Sequence, residues 1–174
     1  MDALRIADGS VVAELGAAGG WFAIRLARRV GPNGIVYAED IQPEMIDRIG
    51  RRVKQENLPW VRPVLGTAND PRLPQGIDAV VIVETFAEME LPPTNPVQLL
   101  KKTAESLKPD GRIGIVDFNA GGGGPGPAPE QRVDPQTAIN AATAAGLRLI
   151  AREAVQPFQY LLVFGKGPAS PSTP

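Results

Sequence analysis

Apolar residues along the chain fall into two alternating patterns. Short runs at 11–15, 35–39, 60–65, 77–83 and 112–118 are apolar and β-branched and read as strands. Between them, apolar residues recur at helical spacing. Phe22, Ala23, Leu26, Ala27 and Val30 follow the first strand, Met45, Ile46, Ile49 and Val53 the second, and Val97, Leu100, Ala104 and Leu107 precede the fifth. Breakers punctuate these runs: Gly31-Pro32-Asn33-Gly34 ends the first helix, Pro43 sits in the first turn of the second, and Asn95 caps a third that opens on Pro96. A polar loop fills 66–71, and Lys108-Pro109-Asp110-Gly111 reads as a turn. The nearly continuous β-branched stretch Ile77–Val83 predicts a central strand covered on both faces.

Asp134-Pro135 starts another helix, predicted through 145 and closed by Gly146. Two strands follow, at 147–155 and 158–165, joined by a short turn at Gln156-Pro157. Five strand–helix alternations, a helix and a terminal hairpin predict right-handed crossovers and a mostly parallel sheet with one antiparallel strand inserted at the end. The expected organisation is a single domain over 1–166 with a disordered Pro/Ser tail at 167–174, while the Gly/Pro-rich stretch 120–130 is expected to be mobile.

The densest chemical signal lies in Val11 to Leu26: strand, glycine turn, helix. Glycines at such a turn reach dihedrals closed to other residues and let backbone amides approach a ligand. Glu14 stands at the strand end, two places before Gly16. An ionised carboxylate there repels a pyrophosphate and suits a cationic ligand. This argues against a dinucleotide.

Composition narrows the chemistry further. The 174 residues suffice for one domain with a sizeable core, 43% being hydrophobic. A net charge of −1 disfavours nucleic acid or an anionic membrane as partner. There is no apolar run of about 18 residues that would cross a membrane, and no signal-peptide pattern, so the expected location is cytoplasmic. With no Cys and no His, disulfides, thiolate metal sites and His-based proton abstraction are excluded.

Glu14-Leu15-Gly16-Ala17-Ala18-Gly19-Gly20 resembles the first motif of class I S-adenosylmethionine-dependent methyltransferases, an acid followed by glycines at alternate positions, with Ala18 in place of the middle glycine. Val36-Tyr37-Ala38-Glu39-Asp40-Ile41-Gln42-Pro43-Glu44-Met45 resembles the second motif, Gly66-Thr67-Ala68 the adenine-edge loop, and Leu107-Lys108-Pro109-Asp110-Gly111-Arg112 the late turn. The resemblance covers nearly the whole chain. It implies the Rossmann-like methyltransferase fold: α/β, doubly wound, a seven-stranded mostly parallel sheet with an antiparallel terminal strand.

It also implies S-adenosyl-L-methionine as cofactor, held by Glu14, Gly16, Ala18, Gly20, Asp40, Ile41, Thr67, Ala68 and Glu84. Asp40 would accept the ribose hydroxyls, and the neighbouring Glu39 is its rival for that place, since adjacent strand residues point to opposite faces. Ile41 is either core or an adenine contact. Thr67 stands where the family often has an acid, and its hydroxyl accepts one hydrogen bond. Glu84, Thr85, Phe86, Ala87 and Glu88 should face the substrate, and Glu84 and Glu88 are the candidate catalytic acids or bases. Asp117 and Asn119 with Glu84 could form an oxygen-only Mg²⁺ site, but a capped strand end is the favoured reading, and no metal is expected.

These residues point to methyl transfer onto a small-molecule acceptor by positioning and desolvation. Thiolate-ligated arsenite chemistry is excluded by the missing cysteines. The competing reading is a non-catalytic or partner-dependent cofactor-binding protein. About ten residues precede the first strand, where the family usually carries lid helices, so the expectation is either a truncated chain or a lid supplied by a second copy or a partner.

Overall fold

The computed structural model describes residues 1–121, 123–155 and 157–167. Its strands are β1 (Val11–Leu15), β2 (Ile35–Asp40), β3 (Val61–Leu65), β4 (Ile77–Val83), β5 (Leu107–Phe118), β6 (Leu147–Val155) and β7 (Gln159–Lys166). Its helices are α1 (Trp21–Val30), α2 (Pro43–Gln55), α3 (Phe86–Met89), α4 (Pro96–Ser106) and α5 (Pro135–Ala144). One sheet contains all seven strands in the order β3-β2-β1-β4-β5-β7-β6. Strands β1 to β5 pair in parallel, and β7 runs antiparallel to both β5 and β6. The doubly wound mixed sheet expected from the alternation is therefore present.

Each buried strand sends successive side chains to opposite faces. Ala13, Leu15, Val80, Ile82, Leu162 and Phe164 pack with α4 and α5 on one side. Val12, Val36, Val81 and Val163 pack with α1 on the other. Capping follows the sequence: Asn95 accepts from the Gln98 amide at 3.1 Å, Asp134 from the Gln136 amide at 2.7 Å, and a proline opens each helix.

Two local expectations change. β3 passes to β4 without a helix through a stretch bounded by Gly66 and Gly76 and interrupted by Pro71 and Pro74, so the alternation breaks once. The turn expected at 108–111 is extended, and β5 begins at Leu107, paired with Ile77 across a register shift. Lys166, the last residue of the expected domain, ends β7, and the Gly167 amide donates to the Gly146 carbonyl at 3.1 Å. Residues 168–174 of the expected tail lie outside the described residues.

The short lead before β1 is also built into the fold. Leu4 and Ile6 are buried in the α1-side core, and Arg112 donates to the Ala3 carbonyl at 2.6 Å. No helix among the described residues is long and apolar enough to cross a membrane.

Candidate functional site: a cleft at the strand ends

The carboxyl ends of β1, β2, β4 and β5 open into a single cleft of about 1200 Å³. Parallel strands converge there because their crossovers return on the opposite side, which leaves the loop ends free to hold a ligand. Glu14, Gly16, Ala18, Asp40, Ile41, Thr67, Ala68, Glu84 and Glu88 all line it. Gly20 does not. It caps α1 in the left-handed region, at φ 76°, and shapes the turn from behind.

The glycine turn is tightly specified. Gly16 has φ 68°, and a Cβ on it would overlap the Thr85 side chain, so a larger residue is opposed by both backbone and neighbour. Ala18 also adopts positive φ, 45°. The strain of the missing middle glycine therefore falls on Ala18 itself, and the adjacent Gly19 does not absorb it. Asp40 ties this turn to β2: Oδ2 accepts the Ala18 amide and Oδ1 the Gln42 amide, each at 2.9 Å. Each of its carboxylate oxygens keeps a second lone pair.

Two further acids are buried against the turn. Glu14 is 4% exposed, and no described group hydrogen-bonds its Oε2. Burial, with a smaller contribution from Asp40, pushes its carboxyl up to about 8 against the pull of the Ala23 amide. Burial thus works against the ionised form of Glu14 on which the sequence argument rests, and a cation beside it would work for that form. Glu39 lines the same cleft, and its Oε2 faces the Gly16 amide at 3.4 Å. Burial raises it to about 8 as well, with the nearby Asp40 charge adding to the rise. Glu39, the expected rival of Asp40 one residue before it, thus reaches the same cleft as Asp40.

Ile41 is 49% exposed and faces the cleft, so it is not core. The Thr67 hydroxyl is already engaged: it donates to the Asp70 carbonyl at 3.2 Å and accepts the Asp70 amide at 3.1 Å. Glu84 has φ 55°, and its Oε1 accepts from Gln159 Nε2 at 2.6 Å. Phe86, expected on the substrate side, is instead fully buried in the α4/α5-side core. Asp117 is 2% exposed and lies outside the cleft lining; its Oδ1 accepts the Phe118 amide at 2.8 Å, and burial raises its carboxyl. Among the described residues no cluster of three or more His, Cys, Asp and Glu side chains is placed to hold a metal ion.

Residues that sequence reasoning missed crowd the β5/β7 end: Phe118, Val155, Phe158, Gln159 and Leu161. Their presence follows from topology. Because β7 runs against its neighbours, its first residues reach the same end of the sheet as the last residues of β5.

A cleft over a glycine turn at the carboxyl ends of parallel strands, lined by buried acids, defines a Rossmann-like α/β protein with a ligand site at the switch point of its sheet. Comparison with known proteins places it more narrowly. Residues 12–111 match the family model described as a methyltransferase domain, and the chain belongs to the class I S-adenosylmethionine-dependent methyltransferase family. It is 31% identical over 116 residues to the demethylmenaquinone methyltransferase of Lactobacillus johnsonii, covering 66% of this chain and 46% of the relative. The chain thus spans less than half the length of the curated relatives it matches. Among solved structures, a SAM-dependent methyltransferase from Aquifex aeolicus shares the fold with a TM-score of 0.85 at 24% identity, over 94% of this chain and 85% of that one. The [4+2]-cyclase SpnF shares it with a TM-score of 0.78 at 14% identity, over 95% and 77%.

Proposed function

We propose that the protein transfers the methyl group of S-adenosyl-L-methionine to a small, largely apolar acceptor. The observation that carries this reading is the buried Glu14, which lines the cleft beneath the glycine turn and has one carboxyl oxygen without a partner among the described residues. A buried polar atom of this kind costs stability until a ligand satisfies it, and a carboxyl with a pKa near 8 ionises readily beside a cation. The residues present therefore fit the cofactor. Glu14 faces the charged methionine end, Asp40 and Glu39 offer acceptors to the ribose hydroxyls, and Ile41 with Thr67 and Ala68 borders the adenine. Thr67 would offer the remaining lone pair of its hydroxyl, which already donates to the Asp70 carbonyl and accepts the Asp70 amide.

When bound, the cofactor supplies a methyl on a sulfonium, a leaving group that needs no protonation. The chain then has to bring an acceptor into line and keep water out. Val83, Val116, Phe118 and Leu161 line the part of the cleft beyond the glycine turn, which supports an apolar acceptor. Glu88, exposed at the cleft and free of ionic partners among the described residues, takes the proton released by an O–H or N–H acceptor. Glu84, braced by Gln159, orients the ligand pair.

The second reading, a cofactor-binding protein without transferase activity, is favoured by Ala18, which stands in the left-handed region at φ 45° where the motif has its middle glycine. Calorimetry with S-adenosylhomocysteine and with NAD is the first test: binding of the former alone is expected, and no binding of it would overturn both readings. Methyl transfer from labelled cofactor to a panel of phenolic, quinol and amine acceptors separates them. Turnover supports the enzyme, and its absence across the panel supports the binding protein.

A further inference from the structure

One cation organises the Gly/Pro-rich segment between β5 and α5. The Arg132 guanidinium, 9% exposed, donates to the carbonyls of Pro127 at 2.9 Å, Asn119 and Gly123 at 3.1 Å, and Pro125 at 3.3 Å. Its Cζ lies 5.3 Å from the centre of the Phe118 ring, and none of the ion pairs among the described residues involves it. A planar fork of five donors suits this task, because it can hold several carbonyls in one fixed arrangement. Asn119 lies at the start of the turn and Pro127 at its end, so the guanidinium closes the segment on itself.

The segment is also pressed between two rings. Gly124 and Gly126 have φ 72° and 102°, and a Cβ on either would strike an aromatic ring, Phe158 for the first and Phe118 for the second. Both rings line the cleft, as do Pro125 and Gly126. Arg132 does not line it. The segment is thus the end wall of the cleft at β5 and β7, on the opposite side of β1 and β4 from Ile41 and the β2 acids.

We infer that Arg132 is a positioning residue that fixes residues 123–127 as the far wall of the acceptor chamber, and through that wall limits the length of apolar acceptor the chamber admits. The inference rests on reading the cleft as a methyl-transfer site. The wall consists of backbone and proline held by a side chain outside the cleft, so its position follows the guanidinium and not the ligand.

The experiment compares Arg132→Gln, which removes the charge and most of the donors, with Arg132→Lys, which keeps the charge and loses the planar fork. Backbone ¹⁵N order parameters at Gly124 and Gly126 should fall from about 0.85 to below about 0.6 in Arg132→Gln and by less in Arg132→Lys, while amide hydrogen exchange leaves β4 and α4 protected. S-adenosylhomocysteine affinity should stay within about twofold of the parent. With that ligand saturating, the neutral apolar dye Nile red should bind Arg132→Gln about fivefold more tightly than the parent, as the chamber lengthens. Unchanged order parameters at the two glycines, or unchanged dye binding, overturn the inference. Loss of exchange protection throughout β4 and β5 in both variants also overturns it, by assigning Arg132 to the fold at large. Should the parent bind no S-adenosylhomocysteine, the methyl-transfer reading fails while the order parameters still decide the role of Arg132.

Discussion

The two ends of the cleft are built from different materials. At the β1/β2 end, three carboxyls and a glycine turn lie within 27 residues, Glu14 to Asp40, and Glu39 and Asp40 meet the turn through the Gly16 and Ala18 amides. At the β5/β7 end, Phe118, Arg132 and Phe158 meet across 41 positions and contribute rings, prolines and backbone carbonyls. The first end is polar, local and strained; the second is apolar and assembled from distant segments. A charged nucleoside needs fixed hydrogen-bonding groups whose desolvation is already accomplished, whereas an apolar acceptor needs shape and the exclusion of water.

Substitutions should separate the two ends, and the largest effect is expected at Gly16. Gly16→Ala forces a left-handed alanine against Thr85, costing roughly 2–4 kcal/mol of stability and abolishing S-adenosylhomocysteine binding. Urea unfolding and calorimetry measure both, and a fall below about 1 kcal/mol would mean the turn is not fixed by Thr85. Next comes Asp40→Ala, which should weaken cofactor binding by about 1–3 kcal/mol because a charged hydrogen-bonding partner is lost. Unchanged affinity would reduce Asp40 to a brace for the turn.

The buried acids give a pH signature confined to the β1/β2 end. Below about pH 4.5, Glu14 and Glu39 are protonated in both folded and unfolded chains. From there to about pH 8 only the unfolded chain ionises, so the stability of the ligand-free protein falls across that window and levels off above it. Glu14→Gln should flatten part of this slope and Glu39→Gln another part, as read by thermal melting between pH 5 and 9. Affinity for the cationic cofactor should rise over the same window in the parent and lose that dependence in Glu14→Gln. A parent melting profile that is flat with pH would place both carboxyls in wetter surroundings than the cleft provides.

The smallest effect belongs to Ala18→Gly. Relief of left-handed strain, less the extra freedom glycine has in the unfolded chain, leaves a gain of about 0.5 kcal/mol. A loss on this substitution would mean that Ala18 contributes through its methyl group.

This contrast also explains what could be read before the structure. Glu14, Gly16 and Asp40 were legible because strand, turn and strand-end acid follow one another in order, and the sheet followed from alternating periods. Gly20, expected to hold the cofactor, caps α1 outside the cleft lining, because a turn motif does not reveal which of its glycines faces inward. Ionisation of Glu14 could not be read, because it depends on burial by residues far along the chain. The engagement of the Thr67 hydroxyl with Asp70, which leaves it one accepting lone pair, arises from a bridge that no period marks. Phe86 was assigned to the substrate, although a short helix after β4 turns it into the core. Phe158 and Gln159 became visible only once β7 was seen to run backwards.

That reversal has a consequence for how such a chain can diverge. The stretch shared with the methyltransferase domain family, 12–111, holds every acid of the β1/β2 end and stops before Phe118, Arg132 and Phe158. Everything that shapes the far wall is encoded downstream of it. A lineage could therefore exchange the last third of its sequence and acquire a new chamber while inheriting its nucleoside grip untouched.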